Sequence, residues 1–209
     1  MLTKLTVEQF NNEVASSSPA PGGGSVSALA GAQAAALLAM YCNLTIGKVK
    51  YGDAEDMMIK TLNEAESCLL ELQKAVEEDT QAFAKVMAAF KLPKGSEGEK
   101  EIRTQSIQQA FKEATMVPLN VCKSCLKLLG LVETAAGKGN ESAISDLGVA
   151  NLQAYAGLTG AAYNVLINLG AVKDSEFVGN CSSQLALVRK EGNESYTKTL
   201  NYLEEQLKI

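Results

Sequence analysis

Met58, Leu62, Ala65, Leu69, Leu72, Val76, Asp79, Phe83, Val86 and Phe90 follow one another at alternating intervals of four and three, the repeat that keeps side chains on one helix face. Asp79 is the charged member of that seam. Burial there raises a carboxyl pKa unless a cation offsets it, and a carboxyl titrating near the working pH can act as general acid or base. A polar residue fixing helix register, or a seam that drifts and leaves Asp79 exposed, fits the same spacing. The 209-residue chain contains no histidine. Proton transfer near neutrality therefore falls to carboxylates, lysine, tyrosine, thiols or water.

A second candidate is the stretch Ser18-Pro-Ala-Pro-Gly-Gly-Gly-Ser25. Pro19 and Pro21 stiffen the approach to a turn in which Gly22, Gly23 and Gly24 allow close backbone approach. Gly24 or Ser25 can cap the helix that follows. A glycine turn opening a helix also directs N–H groups and a positive dipole end at one point, which suits a carboxylate or phosphate. The spacing matches neither GxGxxG nor GxxxxGK[ST], so a nucleotide cradle is disfavoured and the glycines read as either a packing turn or an anion site. Asn164 and Asn168, one turn apart, can pair with a heterocycle or satisfy nearby backbone. Asp146 complements a helix dipole. Lys138 sits in the turn Gly137-Lys-Gly-Asn140.

The elements that must position these residues are helices. Thr6 with Gln9, and Ser96 with Glu99, form capping-box signatures. The spacing predicts a first helix to about Ser16, an Ala-rich one over about Ser25–Thr45, and long ones over about Asp53–Leu92 and from Ser96 to about Ala136. Two more follow, one starting near Asn140, Ser142 or Ser145 and one at Asp174 or Ser175. Pro118 predicts a kink and Gly192 an interruption. The Ala-rich helix lacks side chains large enough to fill space, so it reads as a central rod approached closely by its neighbours. The fold class is an all-α bundle of long helices, in one domain over residues 1–209.

The net charge of −5 excludes the basic face a nucleic-acid binder needs. Polar residues interrupt the apolar stretches and the N-terminus carries no leader pattern, which points to a cytoplasmic protein without a membrane partner. Five cysteines suit packed, reduced thiols. Cys122-x-x-Cys125 falls mid-helix with no second pair and no histidine, so no metal site is expected.

Taken together, several motifs resemble the cyclodeaminase/cyclohydrolase family. They are Pro19-Ala-Pro-Gly-Gly-Gly-Ser25 before the Ala-rich helix, Gly47-Lys48, Asp79-Thr-Gln-Ala-Phe83 followed by Leu92-Pro-Lys94, Gly139-Asn140, Ser145-Asp146, and Ala161 to Leu169. That family includes the C-terminal half of formiminotransferase-cyclodeaminase and stand-alone bacterial methenyltetrahydrofolate cyclohydrolases. The resemblance spans essentially the whole chain. It implies a helical subunit that forms a homodimer, with a tetrahydrofolate derivative as substrate carrier and no resident cofactor. The first reaction implied is closure of 5-formiminotetrahydrofolate to 5,10-methenyltetrahydrofolate with loss of ammonia. The alternative is hydrolysis of the methenyl bridge to 10-formyltetrahydrofolate, and a helical scaffold is the non-enzyme reading. Asp79 matches a motif whose aspartate is treated as catalytic. The resemblance further suggests Lys48 or Lys138 tuning it or binding a substrate carboxylate, with Gly22, Gly23, Gly24, Ser25, Asn140, Asp146 and Asn164 on the substrate. Tyr51 and Tyr163 are candidates to stack on its rings.

Overall fold

The computed structural model describes residues 1–208, with no strand among them. Six helices carry the fold: α1 (Val7–Val14), α2 (Gly23–Asn43), α3 (Glu55–Phe90), α4 (Glu97–Ala135), α5 (Ile144–Leu169) and α6 (Ser175–Leu207), with short 3-10 turns before α1, α3 and α5. Both expected capping boxes form, Thr6 with Gln9 on α1 and Ser96 with Glu99 on α4. Asp174 caps α6 through its Oδ1, which accepts from Phe177 N at 3.0 Å.

α2 is the central rod. It packs along α3 and α5 and touches α4, while α6 covers α4 and α5. Its start lies beside Asp79 of α3 and Asn164 of α5, and its end beside Asn140, so it runs antiparallel to both neighbours. Small residues set the spacing. A Cβ on Gly157 would sit 2.9 Å from Ser27 O and 3.0 Å from Gly31 N, and one on Gly31 2.7 Å from Cys125 Sγ. At Gly157 the atoms met are backbone of α2, which cannot give way, so glycine is required there.

Two local expectations are corrected. The cap of α2 is Gly22, two residues before Gly24 and three before Ser25. α6 continues through Gly192, because a Cβ there would meet Leu158 Cδ1 at 2.5 Å and the missing side chain makes room for a neighbour. The inward stripe of α6 ends at Leu203, and Leu207 is exposed.

Pro118 stands inside α4, where its missing N–H deprives Ala114 O of the usual helical donor. Asn168 of α5 supplies the replacement, its Nδ2 donating to Ala114 O at 2.8 Å.

The five thiols are buried and separate. Burial pushes Cys122 up to about 12, which leaves it a packing group. Beyond the level of the α2 N-terminus, α3 and α4 continue as an overhanging hairpin with its own small core of Ala82, Val86, Ala89, Ala110 and Ala114.

Candidate active site

Where the overhang leaves the bundle, the N-terminus of α2, the C-terminal third of α3, one face of α4 and the end of α5 enclose a cleft of about 370 Å³. Asp79 is its one charged lining residue. Gly22, Gly23, Gly24, Asn164 and Asn168 form a polar end, while Phe83, Val86, Met87, Phe90 and Phe111 form an apolar one. Phe90 and Phe111 meet edge to face, their centroids 6.1 Å apart.

The carboxyl is held by the helix it faces. Asp79 Oδ2 accepts from Ser25 N at 2.8 Å and from Ser25 Oγ at 2.9 Å. Ser25 is fully buried and its hydroxyl also lies 3.0 Å from Val76 O, so its single proton is shared between two acceptors. Asp79 thus does from another helix what a capping side chain does from within: it satisfies a first-turn N–H at the positive end of the dipole. Gly24 makes this possible, since a Cβ there would fall 2.0 Å from Asp79 Oδ1. The glycine is required for space rather than for an unusual backbone angle.

Desolvation raises the Asp79 carboxyl above its ordinary value, and the two bonds from Ser25 pull it back down. Among the described residues no lysine or arginine lines the cleft. The group is therefore protonated more readily than a surface aspartate, the property an acid–base catalyst needs.

Asn164 lies in the cleft with its Nδ2 donating to Gly160 O of its own helix at 2.9 Å, which leaves Oδ1 as the atom it presents. Asn168 is the structural partner of Ala114 already described. Ser25 acts behind the carboxyl and does not line the cleft.

Lys48, Lys138, Asn140 and Asp146 sit at the other end. Asn140 takes Thr45 Oγ1 as acceptor for its N–H and donates Nδ2 to Leu44 O, beyond the C-terminus of α2. The 21-residue α2 separates that end from Asp79 by about 30 Å at a rise of about 1.5 Å per residue. Within one chain, Lys48 and Lys138 therefore do not tune Asp79, and Asn140 and Asp146 do not share its cleft. Asn140 is a cap, its Oδ1 accepting from Ser142 N. Tyr51 lies at this far end, its hydroxyl accepting from Glu141 N, and Tyr163 points outward at 63% exposure. The aromatic surface of the cleft is instead Phe83, Phe90 and Phe111. Phe111 carried no sequence signal, because its relation to Phe90 arises only when α3 and α4 fold back on each other.

A half-buried carboxyl, fixed at a helix N-terminus and opening on a cleft with one polar and one aromatic end, defines a helical acid–base site for a partly planar, partly polar ligand. The Formiminotransferase-cyclodeaminase family profile matches residues 6–187. A methenyltetrahydrofolate cyclohydrolase of Methylorubrum extorquens is 46% identical over 82% of this chain and 83% of its own length. The formimidoyltransferase-cyclodeaminase of Rattus norvegicus is 32% identical over 97% of this chain, which spans 38% of that longer protein. The crystal structure of a formiminotetrahydrofolate cyclodeaminase from Thermotoga maritima superposes with a TM-score of 0.88 at 33% identity, covering 98% of both chains. The chain belongs to the formiminotransferase-cyclodeaminase family.

Proposed function

We propose that this chain is a folate one-carbon enzyme working on the carbon that joins N5 and N10 of tetrahydrofolate, with Asp79 as its proton shuttle. The observation that carries this is the Asp79 carboxyl, raised by burial and aimed into the cleft. In the cyclodeaminase direction N10 attacks the formimino carbon of 5-formiminotetrahydrofolate, forming a tetrahedral carbon bonded to N5, N10 and an amino nitrogen. Asp79 gives its proton to that nitrogen. With the formimino group entering as its amidinium, the carboxylate then takes the proton from N10, and the freed N10 lone pair expels ammonia as the C–N bond breaks, leaving the methenyl cation and the carboxylic acid that began the cycle. Oδ2 is engaged by Ser25, so Oδ1 is the oxygen that exchanges the proton. The pterin takes the polar end beside Gly23 and Asn164 Oδ1, and the p-aminobenzoyl ring takes the Phe90–Phe111 end. These steps need only proton transfers, so the reading assigns no resident cofactor or metal.

The 46%-identical relative favours a second reaction at the same carbon. There Asp79, ionised, accepts a proton from water attacking the methenyl bridge and passes it to N5 as the C–N5 bond breaks, while the hydroxyl proton of the tetrahedral carbon leaves to solvent and 10-formyltetrahydrofolate remains. Ammonia release from formiminotetrahydrofolate identifies the first reaction. Loss of methenyl absorbance in ammonia-free buffer identifies the second. In whichever assay the wild type is active, Asp79→Asn should lower kcat by roughly 10²- to 10⁴-fold. Near-normal turnover in that variant rejects the assignment.

We further infer a cytoplasmic homodimer. α2 carries no charged residue along its length, yet Val26, Met40 and Leu44 are exposed on it, beside Val149, Leu152 and Ile167 of α5. Apolar surface continuous along two neighbouring helices is what a self-complementary two-fold interface buries. By length and composition α2 and part of α4 resemble membrane spans, but α2 is largely covered by its neighbours. A two-fold axis across the helices would set the Lys48 end of one copy toward the Asp79 end of the other.

A further inference from the structure

A reduced folate carries, beyond its p-aminobenzoyl ring, a glutamate with two carboxylates, and the cleft itself offers these no cation. One stands just outside the aromatic end. Arg103, on the first turns of α4, donates Nε and Nη2 to Phe90 O at 3.3 and 3.1 Å, and its guanidinium lies 5.7 Å from the centroid of the Phe90 ring. The ring that lines the cleft on one side is thus capped by a cation.

Arg103 has no carboxylate within ion-pairing range among the described residues. Both bonds to Phe90 end on a single oxygen. The outer edge of the fork, Nη1 and the second hydrogen of Nη2, is left to bind something else, and its planar geometry suits a carboxylate taken in two parallel hydrogen bonds. Lys91 and Lys94, exposed on the turn after Phe90, also have no ion-pair partner among the described residues. Glu97, Glu99 and Glu101 lie on the same turns as Lys94, Lys100 and Arg103, so the local charge is close to balanced in a chain of net charge −5, and it is the free edge of the Arg103 fork that singles this end out.

The order along the helices agrees with the order of groups in the substrate. Asp79 stands about three turns before Phe90 on α3, about 16 Å, and Arg103 about two turns before Phe111 on α4. The path from Asp79 runs along Val86, Phe90 and Phe111 to Arg103, as the path from the one-carbon bridge runs along the aromatic ring to the glutamate.

We propose that Arg103 is a specificity residue that binds a carboxylate of the glutamyl tail, with Lys91 and Lys94 placed for further glutamates. The assignment rests on the folate reading above. An alternative role is purely structural, with Arg103 capping the C-terminal carbonyl of α3.

The test compares KM for the active substrate, carrying its glutamate, with KM for the same substrate built on tetrahydropteroate, which lacks it. In Arg103→Gln the ratio of the glutamyl KM to the tail-less KM should rise about 10- to 100-fold, the size of a lost charge-assisted hydrogen bond. Arg103→Lys, which keeps the charge and loses the fork, should fall between. Added salt should raise the wild-type glutamyl KM more than the tail-less one, a readout that needs no variant to fold. If both KM values move together in the variants and with salt, or neither moves, the assignment is overturned while the folate reading stands. If the wild type turns over neither substrate, both fall.

Discussion

At the residue scale the site reduces to one carboxyl and the hydroxyl behind it. Ser25 lowers the Asp79 pKa through its Oγ and its N–H, and a serine-to-alanine change removes only the first. Ser25→Ala should therefore shift the Asp79 limb of the pH–rate profile to higher pH, with the carboxyl still held by the backbone. An unshifted limb would show that the hydroxyl does not reach the titrating form. Stability follows the same sign. A carboxyl whose pKa is raised on folding stabilises the native state at low pH, and that contribution disappears as pH climbs through the native value. Asp79→Asn should accordingly gain stability relative to wild type as pH rises above the ordinary aspartate range, measured by urea unfolding at a series of pH values, even as it loses turnover. Asp79 was legible in the sequence because a charge on an apolar repeat is conspicuous. Its partner was not, because the serine that holds it lies 54 residues away on another helix.

At the element scale the helices and their capping boxes could be read from period and punctuation, with ends misplaced by a few residues. The treatment of Pro118 could not. A kink was the local expectation, but the cost of a proline inside a helix includes the carbonyl it strands, and Asn168 answers that cost from α5. Asn168→Leu should lower stability by about 1–2 kcal/mol through the unpaired Ala114 carbonyl. Adding Pro118→Ala, which restores the N–H, should recover much of the loss in a double-mutant cycle. Strict additivity of the two changes would argue against this coupling. The pairing also explains why two similar amides one turn apart have different roles, Asn168 holding α4 and Asn164 facing the cleft.

At the scale of the whole molecule, the family resemblance grouped Lys48, Lys138, Asn140 and Asp146 with Asp79, and the length of α2 separates them. Motifs that follow in order along a sequence need not converge in a bundle of long antiparallel helices, where successive turns alternate between ends. The exposed apolar face of α2 and α5 gives the separation a second context. Leu152→Glu, a charge placed on that face at a 50%-exposed position, should shift the sedimentation coefficient from dimer to monomer. A wild type that sediments as a monomer would remove the dimer proposal.

The overhanging hairpin divides the cleft between two unequal packing units. Asp79 is tied through Ser25 to the main core, whereas Val86, Phe90 and Phe111 belong to or border a core of a few small side chains. Openings that cost least occur where the fewest apolar groups must separate. The aromatic wall can therefore breathe to admit a ring while the proton-transfer end stays in register, giving the enzyme a yielding entrance and a rigid centre from a single pair of continuous helices.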